Sequence, residues 1–229
     1  MPRHHVLTDE LLCAALDGEA RPDLAARSPR FFHRDRHERL TRAHPASPYL
    51  LYIPAIAGCL WLAADLPLPA IVALLAAGWL GWTFIEYWLH RGFFHLRPSS
   101  PARRVTSFII HRHHHAAPQD TDRLVATPLY SLGLFLLLLA PYSLAGADAR
   151  WAMMAGSMLG YLAYELAHWR AHHVRPGRCG PLSRSLRRHH LRHHFGDDRH
   201  NFGISSPLWD LVFRTWRTGP VHEDSREDR

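Results

Sequence analysis

Four apolar blocks, Tyr49–Ala64, Leu68–Trp88, Leu129–Ala145 and Trp151–Ala167, limit what this chain can fold into. Each approaches the roughly 20 residues a helix needs to cross a hydrocarbon core of about 30 Å. The shortest suit a thin bilayer or a paired re-entrant hairpin. A soluble bundle of four buried helices is the competing reading, but such helices usually carry a polar face, and these blocks carry almost none. The links within each pair are short and slightly acidic: Asp65, Leu66 and Pro67 in one, Gly146, Ala147 and Asp148 in the other. All 27 basic residues are arginine, and nearly all lie in the N-terminal tail, in 89–128 and in 168–229. Two hairpins then leave these three Arg-rich segments on one face, which the positive-inside rule makes cytoplasmic. With such long apolar blocks, the net charge of +7 points to anionic lipid headgroups rather than nucleic acid.

Histidine supplies the second constraint. Of 20 histidines, 14 fall between His90 and His200, and ten of them form four clusters on that same face. These are His90 with His95, then His111 with His114 and His115, then His168 with His172, and finally His190 with His193 and His194. Residues at i, i+3 and i+4 share a helical face, so three of the four clusters can aim their imidazoles together. His90 and His95 are rotated about 140° apart on a regular α-helix, and Gly92 between them marks a place for the chain to leave the helix. Neutral imidazole is a good ligand for iron, zinc and copper. Ten imidazoles exceed the coordination of one ion, so two metal ions are expected. Structural zinc sites normally close with four ligands and often use Cys. The three cysteines, Cys13, Cys59 and Cys179, form no such motif. An all-nitrogen dimetal site beside lipid suits dioxygen chemistry at an unreactive C–H bond.

Several neighbouring groups are candidates for support. Asp120 and Glu165 head the carboxylates that could orient ligand rings, with Asp122 and Asp210 beside them. Glu165 sits one turn before His168, and a buried ion pair with an arginine is an equal expectation for it. His113, His173, His189 and His200 adjoin the clusters but miss the ligand spacing, which gives them supporting or surface roles. Arg91, Arg112 and Arg123 are expected to be solvated charges facing the membrane surface, with carboxylate or phosphate binding as the alternative, and Trp79, Trp82, Phe84 and Phe135 to line a lipid tail.

These motifs resemble the fatty acid hydroxylase superfamily, also called the sterol desaturase/fatty acid hydroxylase family, and within it the fatty acid 2-hydroxylases. The resemblance runs from about Phe84 to Thr215. It rests on Glu86-Tyr87-Trp88-Leu89-His90-Arg91 through His95, and on His111 to Pro118 with Asp120, Arg123, Leu124 and Val125. It continues with Tyr161 through Tyr164, Glu165 and His168 to His172. The last box discriminates most: His190 to Phe195, then Phe202-Gly203-Ile204-Ser205 and Leu208-Trp209-Asp210 with Phe213. The resemblance implies ten metal ligands: His90, His95, His111, His114, His115, His168, His172, His190, His193 and His194. It implies two iron ions in the active form, with zinc possible after purification. It also implies hydroxylation at carbon 2 of a fatty acid or lipid acyl chain, with O2 as co-substrate. Related dimetal lipid oxidases (sterol desaturases, methyl oxidases, carotenoid hydroxylases) and a non-catalytic metal-binding membrane protein are the alternatives.

The expected architecture is therefore an all-α integral membrane protein with four transmembrane helices in two hairpins. A cytoplasmic helical cap from 89–128 and 168–215 holds the dimetal site. Residues 1–48 are expected to be a partly helical tail, with a short amphipathic helix over Thr8–Ala20, and 216–229 a polar tail. The N-terminus has no cleavable signal pattern. The haem-binding His-Pro-Gly-Gly pattern of a fused cytochrome b5 domain is absent from the sequence. Electrons are thus expected from a separate donor, a ferredoxin or a cytochrome b5-like protein, drawn to the Arg-rich face.

Overall fold

The computed structural model describes Leu7, residues 28–95 and residues 98–219; the expected helix over Thr8–Ala20 lies outside them. Every regular element among the described residues is helical. In chain order these are α1 (Asp35–Arg39), α2 (Ser47–Leu62), α3 (Leu68–Trp88), α4 (Pro101–Ser107), α5 (His113–Ala116), α6 (Pro128–Tyr142), α7 (Ala149–His173), α8 (Pro181–Phe195) and α9 (Leu208–Val212). Wide π-helical turns extend α3 over Leu89–Phe94 and join α4 to α5 over Phe108–Arg112. The four apolar blocks become α2, α3, α6 and α7. Pro48, Pro128 and Pro181 sit in the first turns of α2, α6 and α8, where a missing N–H costs nothing.

Two stretches, Leu68–Phe94 and Thr121–Ala145, are long and apolar enough to cross a membrane. Only 17% of the apolar window in the first is buried. Large apolar side chains on these helices point outward, Leu68 at 72% and Leu137 at 74% exposure. A water-soluble protein rarely leaves so much contiguous apolar surface bare.

The chain divides into two compact units: residues 1–82 with 97–162, and residues 83–96 with 163–229. In the first unit Tyr52, Trp82, Phe135 and Tyr161 form an aromatic core, with Tyr52 and Phe135 at 4.8 Å and Trp82 and Tyr161 at 5.1 Å between ring centres. Backbones approach closely at two glycines. A Cβ on Gly78 would lie 2.0 Å from the Met153 carbonyl oxygen, and one on Gly156 would lie 2.1 Å from that of Leu75. Small residues permit this approach between apolar helices. Ser157 reinforces it by donating to the Gly78 carbonyl at 2.8 Å and meeting the Tyr142 hydroxyl at 2.7 Å. Of the four aromatics expected along a lipid tail, Trp82 and Phe135 fill this core instead. Trp79 and Phe84 are 43% and 40% exposed, because their helical positions turn away from the core.

A polar cluster in the same unit ties the segment before α2 to the second histidine cluster. Arg123 donates to Glu38 at 2.7 Å and to Asp120 at 3.2 Å, and its guanidinium lies 3.9 Å over the Phe31 ring. Arg42 bonds Glu38 and Asp122. Arg123 and Arg112 are thus buried, not solvated as the sequence suggests, Arg123 because the Glu38 and Asp120 carboxylates and the Phe31 ring surround it.

The second unit has the opposite interior. Glu86, His90, Glu165, His168, His172, Arg187, His189, His190, His193, Asn201 and Asp210 are all buried in it. Polar groups on this scale are not withdrawn from water without strong partners. Aromatic side chains pack around this polar centre, Tyr87 stacked on Phe213 at 5.3 Å and Phe84 against Trp209 at 4.9 Å.

Candidate metal centre

The imidazoles of the second unit gather in two groups. His168 and His172 leave α7 one turn apart on one face, and His190 and His194 leave α8 in the same way. The His172 and His190 Nε2 atoms meet at 2.8 Å, and the His168 ring centre lies 4.8 Å from that of His190. The other group joins the end of α3 to α8. His193 Nε2 stands 3.0 Å from His95 Nε2, and the His90 and His193 ring centres are 4.4 Å apart. The helix does not break at Gly92. It widens, so that His95 N–H bonds the His90 carbonyl at 3.2 Å, the i→i+5 pattern of a π turn. That widening turns a five-residue spacing, useless on an α-helix, into a facing pair. In the first unit, His111 and His115 bring their Nε2 atoms within 2.9 Å, and the His114 ring centre lies 5.8 Å from that of His111.

These groups fit a metal better than a hydrogen-bond network. Two ligands held at a right angle on one ion, at about 2.1 Å each, stand roughly 3.0 Å apart. The three Nε2 pairs match that edge. Burial pushes the imidazolium of His193 down to about 3, with nearby His95 adding to the effect. Burial also takes His168 to about 3, helped by His173. Neutral rings with converging nitrogen lone pairs are what a divalent cation takes as ligands.

Two rings have their tautomer fixed from behind. His90 Nδ1 lies 2.5 Å from the Phe202 carbonyl oxygen, and His193 Nδ1 lies 2.8 Å from that of His200. A carbonyl can only accept, so each Nδ1 carries the hydrogen and each Nε2 keeps its lone pair. These carbonyls belong to one loop, in which Asn201 is left-handed at φ 59°. Asn tolerates that conformation better than most residues. Asp210 accepts the N–H groups of Phe202 at 2.9 Å and Gly203 at 2.8 Å, and also His189 Nε2 at 3.0 Å. Burial alone would raise the Asp210 carboxyl, but its bonds from His189, Thr215 and Gly203 hold it below the usual value. Glu86 accepts the N–H groups of Ile204 at 2.6 Å and Ser205 at 2.8 Å.

The sequence-derived supporting residues distribute unevenly. Asp120 bonds His113 Nε2 at 2.8 Å, a histidine outside the ligand spacing, at the base of α5. Glu165 is 1% exposed on α7, one turn before His168. Asp122 joins the Arg42 cluster instead of a ligand ring. His113 and His189 are buried on carboxylates, while His200 pairs with Asp197 and His173 stacks on Trp169 at 4.2 Å. Sequence reasoning named Glu86 only as part of the first box and gave it no role, although an acid inside an apolar block was a signal for one. It passed over Asp198, 3.4 Å from His95 Nδ1.

Fold and site together define a helical protein with buried, histidine-built metal-binding clusters and lipid-compatible helices. A profile of the fatty acid hydroxylase family matches residues 75–215. The dihydroceramide fatty acyl 2-hydroxylase FAH1 of Arabidopsis thaliana is 34% identical over 86% of this chain and 84% of its own length. The fatty acid 2-hydroxylase of Mus musculus is 31% identical over 83% of this chain and 57% of its own. The solved hydroxylase domain of scs7p superimposes with a TM-score of 0.74 at 29% identity, covering 80% of this chain and 71% of that one. This chain belongs to the fatty acid hydroxylase family.

Proposed function

We propose that this protein is a membrane monooxygenase that places a hydroxyl group on carbon 2 of a fatty acid or of a lipid's acyl chain. Supporting this, relatives aligned over more than four-fifths of their length are named as acyl 2-hydroxylases. The observation that carries the reading is the set of buried, neutral imidazoles whose Nε2 atoms pair at 2.8 and 3.0 Å. The ten histidines His90, His95, His111, His114, His115, His168, His172, His190, His193 and His194 hold two metal ions, iron in the working enzyme.

Bound iron supplies the activation of O2 that protein side chains cannot. The balance is one acyl C–H bond, O2, two electrons and two protons giving one C–OH and one water. The protein's own residues hold the imidazoles neutral, fix their orientation and seal the centre from water. The Phe202 and His200 carbonyls do this for His90 and His193, while Glu165 and Asp120 act from the surrounding shell. The electrons come from a separate ferredoxin or cytochrome b5-like donor, attracted by arginines such as Arg184 and Arg188 on the exposed side of α8.

The architecture proposed with this function has four spans, at 49–64, 68–88, 129–145 and 151–167, in two hairpins. The segments 89–128 and 168–215 form a cytoplasmic cap, flanked by tails at 1–48 and 216–229. Supporting it are the apolar outward faces of α2, α3 and α6 and the Arg-rich segments between spans. A head group held at the interface then brings carbon 2 to the metals while its tail stays in hydrocarbon.

Isotope tracing tests the reaction. The purified chain with iron, a reductant, an acyl lipid and 18O2 is expected to yield a 2-hydroxy product carrying one 18O atom. Hydroxyl oxygen drawn from water would reject a monooxygenase.

A further inference from the structure

We propose that Glu86 and Asp210 are positioning residues for the metal held by His90 and His193, acting through the backbone of the His200–Ser205 loop. This rests on the metal-centre reading above. Neither carboxylate reaches an imidazole of the ligand set. Glu86 instead takes the Ile204 and Ser205 N–H groups and the Ser205 hydroxyl, the last at 2.5 Å. Asp210 takes those of Phe202 and Gly203 and the Thr215 hydroxyl, the last at 2.7 Å. Four successive N–H groups of one loop thus end on two buried acids. The Gly203 N–H shares its peptide plane with the Phe202 carbonyl, so its bond to Asp210 helps aim that carbonyl at His90, while the Asn201 N–H bond to the Thr215 carbonyl does the same for the His200 carbonyl and His193. Partners that orient ligand rings from behind are commonly carboxylates acting directly. Here the carboxylates set the shape of a loop, and the loop's carbonyls set the rings.

The clamp is itself braced. Arg91 donates to the Tyr87 hydroxyl at 2.7 Å, Tyr87 meets Thr215 Oγ1 at 2.9 Å, and Thr215 donates to Asp210. The Asn201 N–H also bonds the Thr215 carbonyl at 2.9 Å. The Phe-Gly-Ile-Ser and Leu-Trp-Asp segments thus work as the two sides of one device, with the end of α3 as its third.

Metal release from the purified full chain into a chelator tests this, with the wild type compared against Glu86→Leu, Glu86→Gln, Thr215→Val and Thr215→Ser. In Glu86→Leu one of two ions is expected to leave about 10–100-fold faster, the usual scale for losing orienting partners. The other ion keeps the wild-type rate. Glu86→Gln retains an oxygen for both N–H groups and is expected to recover most of the wild-type rate. Thr215→Val accelerates the same ion more mildly, while Thr215→Ser does not. Equal acceleration of both ions, as general loosening would give, overturns the proposal, and so do unchanged rates in Glu86→Leu. If Glu86→Leu fails to fold, the Thr215 pair decides, since Ser keeps the hydroxyl that reaches Asp210 and Val removes it. A wild-type chain that binds fewer than two ions rejects the metal-centre reading instead.

Discussion

His172 and His190 come from different helices, α7 and α8, and their Nε2 atoms stand 2.8 Å apart inside the second unit. Both are at most 5% exposed, so neither ring is there to meet water. His190→Ala is expected to lower bound metal by about one ion per chain and to abolish product formation. Helix content and membrane association stay intact, because the ring packs against other imidazoles and not against the apolar core. Elemental analysis of the purified variant checks this, and a full complement of metal would contradict it.

Arg123 should be a stability residue. Its side chain is 3% exposed against Glu38 at 7% and Asp120 at 2%. Removing one partner from such a buried group costs about 3–5 kcal/mol, because the remaining charges lose their compensation. Arg123→Met is therefore expected to lower the thermal midpoint clearly in a fluorescence melt. An unchanged midpoint would show that Arg42 alone neutralises the cluster.

The same cluster sets an acid limit. Burial alone would raise the Glu38 carboxyl, but the Phe31 N–H and Arg42 bring it below its ordinary 4.5. Asp120 behaves likewise, burial opposed by hydrogen bonds from His113 and Ser28, and ends below 3.8. Carboxyls that are more acidic when folded stabilise the fold above their unfolded values, and the benefit vanishes as pH falls through the folded ones. Stability is thus expected to be level from neutral pH to about 4.5 and to fall below it, with a smaller fall in Glu38→Gln. Equal acid sensitivity in that variant would contradict the assignment.

Gly156 tests the packing of the first unit. A Cβ there would overlap the Leu75 carbonyl, which is backbone and cannot swing away. Gly156→Leu is expected to cost about 1–3 kcal/mol or more, the range for overpacked sites. Gly133→Leu, where a Cβ meets nothing within 4 Å, serves as the neutral comparison. Similar melting of the two variants would mean that the helices are not held at that distance.

Much of this was legible in sequence because two signals are local. Apolar length marks α2, α3, α6 and α7, and i, i+3, i+4 spacing puts His168 with His172 and His190 with His194. His90 and His95 were paired by sequence, but the way they come to face each other was not legible, since a π turn changes the period that the reading assumes. Nor was the role of Glu86, 118 residues from the Ile204 N–H it binds. Partners at that separation leave no spacing to read. The burial of Arg123 was hidden for a related reason: a surface arginine and a buried one look alike until the carboxylates around it are known. The close approach at Gly78 and Gly156 depends on which helices pack together, which composition does not state.

The most direct measurement is a mass-spectrometric fatty-acid profile of a host expressing this chain beside one expressing His168→Ala. New 2-hydroxy fatty acids with the unaltered chain, absent with His168→Ala, are the expected result. New unsaturation, altered sterols or carotenoids in place of 2-hydroxy acids would contradict the proposed reaction while leaving the metal site standing. Turnover retained by His168→Ala would contradict the ligand assignment itself.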